Sequence, residues 1–281
     1  MPIRTGEAGG QVDAGHAPGP ILPISGVVRT SSRCVLDLDA DLAEELAPEA
    51  RRVARAAATA TVLDAEAGPL AMVQWLERAG GGPGVLVLQG VLTLGVRVGD
   101  RLSAELAGGG DLLQPLWAEP NQLIGCTVKW RALTPMRFAI LDAAFARRVR
   151  FWPQLPHALL RRSGRRVVNL NVQRAIAAQP RLEVRLALLF WHLAGRWGRV
   201  EPGGIRLPVP LTHQLLGQLV GAERPSVSHA LARLAEAGLV DGHGDEWHLH
   251  GALHDQLPAM VAASEDRAER ILAAVGGRRQ G

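Results

Sequence analysis

Between Leu211 and Leu234 the sequence admits few arrangements other than two short helices joined by a tight turn. Thr212 carries a hydroxyl that can accept an orphan backbone N–H, and Leu215, Leu216 and Leu219 then recur on one helical face. Gly221 ends that helix, because closing it requires a residue that tolerates φ > 0. Pro225, its φ already fixed near the helical value, sits where a first helical position is expected, and Val227, Leu231 and Leu234 form the buried stripe of a second helix. Arg224, Ser226, Ser228, His229 and Arg233 are left for the outside.

A second helix that exposes small polar and basic residues at its N-terminal end suits a DNA major groove. By itself the pair reads first as an ordinary helical hairpin. The chain continues, however, through Gly238 into Leu239-Val240 and a turn-rich Asp241-Gly242-His243-Gly244-Asp245 flanked by Trp247 and Leu249, which is the order of a winged helix-turn-helix.

From Leu211 to Gly251 the chain resembles the C-terminal domain of the Crp/Fnr family of bacterial transcription regulators. The likeness lies in the threonine that starts the first helix, the Val220-Gly221 turn, the Arg-x-Ser-Val-Ser entry from Arg224 to Ser228, and Gly238-Leu239-Val240 before the wing. The resemblance implies that Arg224 and His229 read base edges, and that Thr212, His213, Gln214, Ser226, Ser228 and Arg233 complete the DNA-binding set, with Gln214 on phosphate. Pro225 stands where the family often has a glutamate, so the operator is expected to differ from the familiar half-site.

The chain has 281 residues, enough for two domains, and 47% apolar content supports real cores. Lys129 is the only lysine, so nearly all of the 31 basic residues are arginine; this permits phosphate contacts, but a GC-rich genome gives the same bias. Cys34 and Cys126 are too few for a disulfide framework or a four-thiolate cluster. No apolar run reaches the length of a membrane span and no secretion signal is visible, so a cytoplasmic protein without a membrane partner is expected.

Residues 1–33, rich in glycine and proline, read as a flexible tail. Leu42, Leu46 and Val53 suggest a short helical segment interrupted at Pro48. From Thr59 to Leu141 the pattern turns to short β-prone runs at Thr61-Val62-Leu63, Val85 to Leu88, Val91 to Val96, Cys126 to Val128 and Met136 to Ile140, with a hairpin turn at Val98-Gly99-Asp100. Ahead of a family-like winged helix, this segment resembles the cyclic-nucleotide-binding β-roll. The resemblance places a weak effector-binding assignment on Gly110, Asp111 and Leu112. The Glu119–Cys126 stretch lacks the arginine that a buried cyclic phosphate needs, and Gly110-Asp111-Leu112-Leu113-Gln114 departs from the family's Gly-Glu pattern. No cofactor is therefore expected, and cyclic AMP is not expected as the effector.

His243, His248, His250 and His254 cluster near the wing, where they read as phosphate- or solvent-facing residues rather than metal ligands, and no metal is expected. Trp117, Trp130 and Trp152 read as core or domain contacts. From Asp142 to Pro180 the apolar period is helical again, through Phe145, Val149, Trp152, Leu155, Leu159, Leu160, Val167, Leu170 and Ile176. The resemblance implies that this long helix is a homodimer seam. Arg161-Arg162 and Arg165-Arg166 within it read as a solvated face, and Leu186 to Trp191 opens the next helix.

The expected fold is α+β: a tail (1–33), a β-roll sensor (34–141), a dimerisation helix region (142–180), a winged helix-turn-helix (181–262) and a C-terminal tail (263–281). The expected function is sequence-specific binding of a palindromic site in double-stranded DNA by a homodimer, with RNA polymerase as a partner if it activates. The alternative is a small-ligand or cyclic-nucleotide binding module whose helix-turn-helix contacts protein. No phosphate loop, nucleophile elbow or metal signature supports an enzyme.

Overall fold

The computed structural model describes residues 27–114, 125–243 and 245–252. Expectations for residues 1–26, Trp117, the Glu119–Ile124 part of the arginine-free stretch, His254 and the tail from 263 lie outside them.

The described chain opens with a strand, Val27–Cys34 (β1), where a tail was expected. β1 runs antiparallel to Thr59–Ala65 (β2), pairing Thr30 with Leu63 and Cys34 with Thr59. The β-branched Val27, Val28 and Thr30 suit an extended backbone, but the strand exists only because a partner lies some thirty residues on, which composition does not reveal. Between them lie a short helix, Val35–Leu38 (α1), a single 3-10 turn, Ala40–Ala43, and the helix Pro48–Ala57 (α2). Pro48 begins α2 instead of interrupting a helix, since a first-turn residue has no N–H to lose, and Val53 points to solvent at 60% exposure.

Two antiparallel sheets follow. β3 (Gly68–Pro69), α3 (Met72–Arg78), β4 (Gly84–Gln89), β5 (Val91–Val98), β6 (Arg101–Gly108), β7 (Leu112–Leu113), β8 (Cys126–Ala132) and β9 (Met136–Leu141) complete them, in the orders β1-β2-β9-β4-β7 and β3-β8-β5-β6. Leu63, Val85, Val87, Phe138 and Ile140 of the first sheet meet Leu92, Leu94, Trp130 and Ala132 of the second, with Trp75 of α3 filling the interior 5.2 Å from the Phe138 ring. Alternation along the strands decides the other faces: Val62, Leu86 and Ala139 turn outward onto α1, α2 and the helices that follow the roll. The β-roll expectation is met, while α3 is too short for its apolar residues to show a helical period and β6 becomes a strand only by pairing with β5.

The single long helix expected after the roll is two. Asp142 caps Ala143–Val149 (α4) by accepting the Phe145 N–H at 2.7 Å. The chain then bends through Arg150 to Pro153 before Gln154–Ala177 (α5), because Pro153 cannot continue a helix from the preceding turn. Phe145, Val149, Leu155 and Leu159 consequently pack on their own β-roll, Leu160, Val167 and Leu170 face out, and Ile176 is buried in the C-terminal core.

The arginine run on α5 is a solvated face only in part: Arg161 and Arg165 are exposed, whereas Arg162 and Arg166 turn inward. The Arg162 guanidinium is buried against both Asp39 oxygens at 2.8 and 3.0 Å, Arg166 grips Glu105 of β6 at 2.7 and 2.8 Å, and Arg161 pairs with Glu45. Burial pushes the Asp39 carboxyl up despite the attraction of Arg162. Such desolvated pairs fix geometry, since losing one partner strands the other.

The C-terminal part comprises Leu182–Trp197 (α6), Arg199–Glu201 (β10), Gly204–Leu207 (β11), His213–Val220 (α7), Arg224–Glu236 (α8), Val240–His243 (β12) and Glu246–Leu249 (β13), with strand order β10-β11-β13-β12. Its core of Leu186, Phe190, Leu216, Leu219, Val227 and Leu234 is continuous with Val91, Ala104 and Leu106 on the outer face of the second sheet. One hydrophobic cluster therefore bridges the β-roll and the C-terminal domain. Among the described residues, no helix is long and apolar enough to cross a membrane.

Candidate nucleic-acid interface

The helix-turn-helix forms for the reasons written in its caps. Thr212 adopts an extended backbone and its Oγ1 accepts the Leu215 N–H at 3.2 Å, starting α7. Gly221 closes it in the left-handed region at φ 68°, ψ 41°, and the Ala222 N–H bonds back to Gly217 O at 2.9 Å. Sequence reasoning passed over Gly217, where an added Cβ would stand 2.4 Å from Ala222 O; only glycine lets the turn fold so closely over α7. Pro225 occupies the first turn of α8, and Val227, Ala230, Leu231 and Leu234 are buried.

With that face inward, Arg224, Pro225, Ser226 and His229 are exposed at the N-terminal end of α8, and Gln214 and Thr212 are exposed at the start of α7. Arg224 and His229 form no ion pair among the described residues. Ser228 is half-buried: its hydroxyl donates to Arg224 O at 3.1 Å and lies 2.8 Å from His213 Nδ1. Because the hydroxyl proton goes to the carbonyl, the oxygen is left to accept from His213, so this pair splints α7 to α8. Arg233 is placed differently from its companions. It pairs with Glu183 of α6, on the flank of α8, which ties it to the scaffold rather than to the exposed end.

The wing is held by its own polar stitches. Arg206 reaches Glu201 at 2.6 Å and Glu246 at 2.8 Å, and both hold its proton more firmly. His250 Nε2 lies 2.8 Å from Asp241 and its Nδ1 3.2 Å from Gly203 O; the Asp241 hydrogen bond above all, then the carbonyl, raises the imidazole pKa. Among the described residues, no group of three or more His, Cys, Asp or Glu side chains could hold a metal.

The three residues assigned to an effector are drawn into structural work. Gly110 turns the chain at φ 86° with the Arg162 guanidinium lying where a side chain would stand. Asp111 is buried: it accepts the Gly108 N–H at 2.8 Å and meets Arg196 of α6 at 2.5 Å. Leu112 is in the core. Arg196 also donates to Leu106 O at 3.2 Å and lies over the Trp197 ring, which itself packs on Gly108.

Residues 184–250 match the family of Crp-like helix-turn-helix domains. Over 88 residues the chain is 35% identical to the CRP-like cAMP-activated global transcriptional regulator of Mycobacterium tuberculosis strains CDC 1551 / Oshkosh and H37Rv, which is 31% of this chain and 39% of that protein. The match thus spans about two fifths of that relative's length. In fold, the chain is similar to a cyclic nucleotide-binding domain containing protein from Listeria monocytogenes EGD-e, at TM-score 0.55 and 12% identity over 76% of this chain and 97% of that one. A transcriptional regulator of the CRP family from Thermus thermophilus aligns at TM-score 0.47 and 19% identity, over 61% of this chain and 85% of its own. The fold is α+β, a β-roll joined to a winged helix-turn-helix.

Proposed function

We propose that this chain is a DNA-binding transcription regulator of Crp/Fnr type that reads a palindromic operator as a homodimer. The observation that carries the reading is the exposed N-terminal end of α8, where Arg224 and His229 stand beside Ser226 on a Crp-like domain whose opposite face is wholly apolar. A guanidinium there can bond bidentately to guanine O6 and N7, while Gln214 and Thr212 at the start of α7 suit phosphates.

The dimer reading rests on α5. Its inner face is fixed to the roll by Arg162 and Arg166, yet Leu160, Val167 and Val168 are 68%, 57% and 60% exposed, and with Gly164 and Asn171 they follow helical spacing along one outer stripe. A second copy of the same stripe buries it symmetrically. Two Crp-like domains then present half-sites about one helical turn, roughly 34 Å, apart.

Cyclic AMP activates the mycobacterial relative by its name, but we expect no such response here. Asp111 is committed to Arg196, and the Glu119–Cys126 stretch has no arginine for a cyclic phosphate. Any effector is of another chemistry, and RNA polymerase is a partner if the protein activates.

Selection of DNA by the purified protein from a random pool tests the reading. We expect an enriched palindrome bound with affinity that falls steeply as salt rises. Recovery of no common sequence, with no salt-dependent binding, would favour the alternative in which the helix pair contacts protein.

A further inference from the structure

His213 and Ser228 tie the start of α7 to the start of α8. His213 is the first residue of α7, between the exposed Thr212 and Gln214. Ser228 lies in α8, and its hydroxyl donates to Arg224 O, the carbonyl four residues back, at 3.1 Å. That bond turns the serine oxygen toward the first turn of α8, where it stands 2.8 Å from His213 Nδ1. The imidazole also lies beside Trp247 of β13, ring centroids 6.4 Å apart, and that indole is buried against Phe190 at 4.8 Å.

We propose that His213 and Ser228 are positioning residues for DNA reading: the contacts from His213 Nδ1 through Ser228 Oγ to Arg224 O fix the spacing between the phosphate-holding start of α7 and the base-reading start of α8, and neither side chain touches DNA. The inference rests on the DNA-binding reading of α8. It departs from the resemblance, which places both residues in the DNA-contacting set.

The hydrogen-bonding capacity of the two side chains supports this role. Arg224 O can only accept, so the single hydroxyl proton of Ser228 is spent on it, and the Ser228 oxygen accepts from His213 Nδ1–H. No proton of Ser228 is left for DNA. In the neutral ring His213 Nε2 then carries a lone pair, which a phosphate oxygen repels. Exposure agrees: His213 and Ser228 are half-buried, while Thr212, Gln214, Arg224, Ser226 and His229 are exposed. At the other end of α7 the two helices are already fixed by the Gly221 turn, with the Ala222 N–H on Gly217 O at 2.9 Å. The His213–Ser228 bond therefore sets the angle at which α8 leaves that turn, and a reading helix held at one end only would bring the Arg224 guanidinium to a base edge less accurately.

The test is affinity for the selected operator and for random DNA, at one salt concentration. It uses the full-length wild type, Ser228→Ala, Ser228→Thr, His213→Ala, Arg224→Ala, and Ser228→Ala combined with either of the last two. Alanine is a good helix former, so Ser228→Ala should keep α8 and melt as a folded protein. Losing a neutral hydrogen bond should weaken its operator binding about twofold to tenfold. Selectivity should relax at the same base pair as in Arg224→Ala, and affinity for random DNA should change by less than about twofold, because phosphate contacts are sequence-blind and remain in place. Ser228→Thr should bind like the wild type, since a threonine hydroxyl can also bond back along its helix. The double variant with His213→Ala should bind no more weakly than the weaker of its two single variants, and Ser228→Ala should add little once Arg224 is alanine, as coupled residues do. Additive losses, selectivity relaxed at a different base pair, or equal weakening on random DNA would mean that these side chains contact DNA themselves, and the positioning role would be wrong while the DNA reading stands. Unchanged operator affinity in Ser228→Ala would contradict it as well. If the wild type binds no DNA, the DNA reading falls and the positioning role with it.

Discussion

The Asp111 carboxylate, in the turn between β6 and β7, meets the Arg196 guanidinium of α6 at 2.5 Å, with side-chain exposures of 4% and 18%. This desolvated pair joins the β-roll to the C-terminal domain at a point where Trp197 also packs on Gly108. Replacing Asp111 by alanine leaves Arg196 buried without its counter-charge, and we expect a loss of about 3–5 kcal/mol in unfolding free energy. Denaturant titration of the Asp111→Ala variant checks it; a loss below about 1 kcal/mol, typical of an exposed pair, would show that the link is not desolvated in solution.

The α7 cap gives a smaller and more local effect. Thr212→Ala removes the acceptor for Leu215 N–H and is expected to cost about 1 kcal/mol, whereas Thr212→Ser should cost little because the oxygen is retained. Chemical denaturation of the pair of variants separates capping from any loss of the methyl group.

Two histidines give opposite pH slopes. His250 has its pKa raised above the ordinary 6.5 by Asp241 and Gly203 O, so the folded state binds the proton more tightly than the unfolded chain. Its contribution is full below pH 6.5 and is lost as pH rises through the raised value. His192 is lowered from 6.5, first by burial and then by Arg196, so its neutral form is favoured and stability is lost as pH falls through 6.5. In melting curves taken between about pH 6 and pH 8, His250→Gln should steepen the rise of stability with pH and His192→Gln should flatten it. The reverse pattern would contradict the assigned environments.

The α5 stripe predicts an assembly. Val167→Glu places a charge in the proposed symmetric seam but, on a residue already 57% exposed, little strain in the monomer. Sedimentation should show the wild type as a dimer and the variant dissociating at concentrations about tenfold higher or more, since burying an unpaired charge costs more than about 1.4 kcal/mol. A wild-type monomer at all concentrations would remove the seam.

What the sequence made legible was local. The helix pair could be drawn from Thr212, Gly221, Pro225 and the leucine stripe because each signal acts within one or two turns. The strands Val85 to Leu88 and Val91 to Val96 were readable for the same reason. β1 and β6 were not, since Val27–Cys34 and Arg101–Gly108 become strands only by pairing with β2 and β5. The arginines of α5 looked solvated because Asp39 lies 123 positions from Arg162 and Glu105 lies 61 from Arg166. Within the candidate site, helical spacing separated Val227 and Leu231 from Arg224 and His229, but nothing local paired Arg233 with Glu183 or Arg101 with Glu223.

The most direct measurement is the affinity of Arg224→Ala for the selected operator and for random DNA, in titrations at one salt concentration, with Gln214→Ala beside it. If the exposed end of α8 reads bases, Arg224→Ala loses about 1–3 kcal/mol on the operator, relaxes selectivity at one base pair and changes little on random DNA. Gln214→Ala, as a phosphate contact, weakens both about equally. An equal loss on operator and random DNA for Arg224→Ala would contradict the account, because the arginine would then be holding the backbone and the reading face would lie elsewhere.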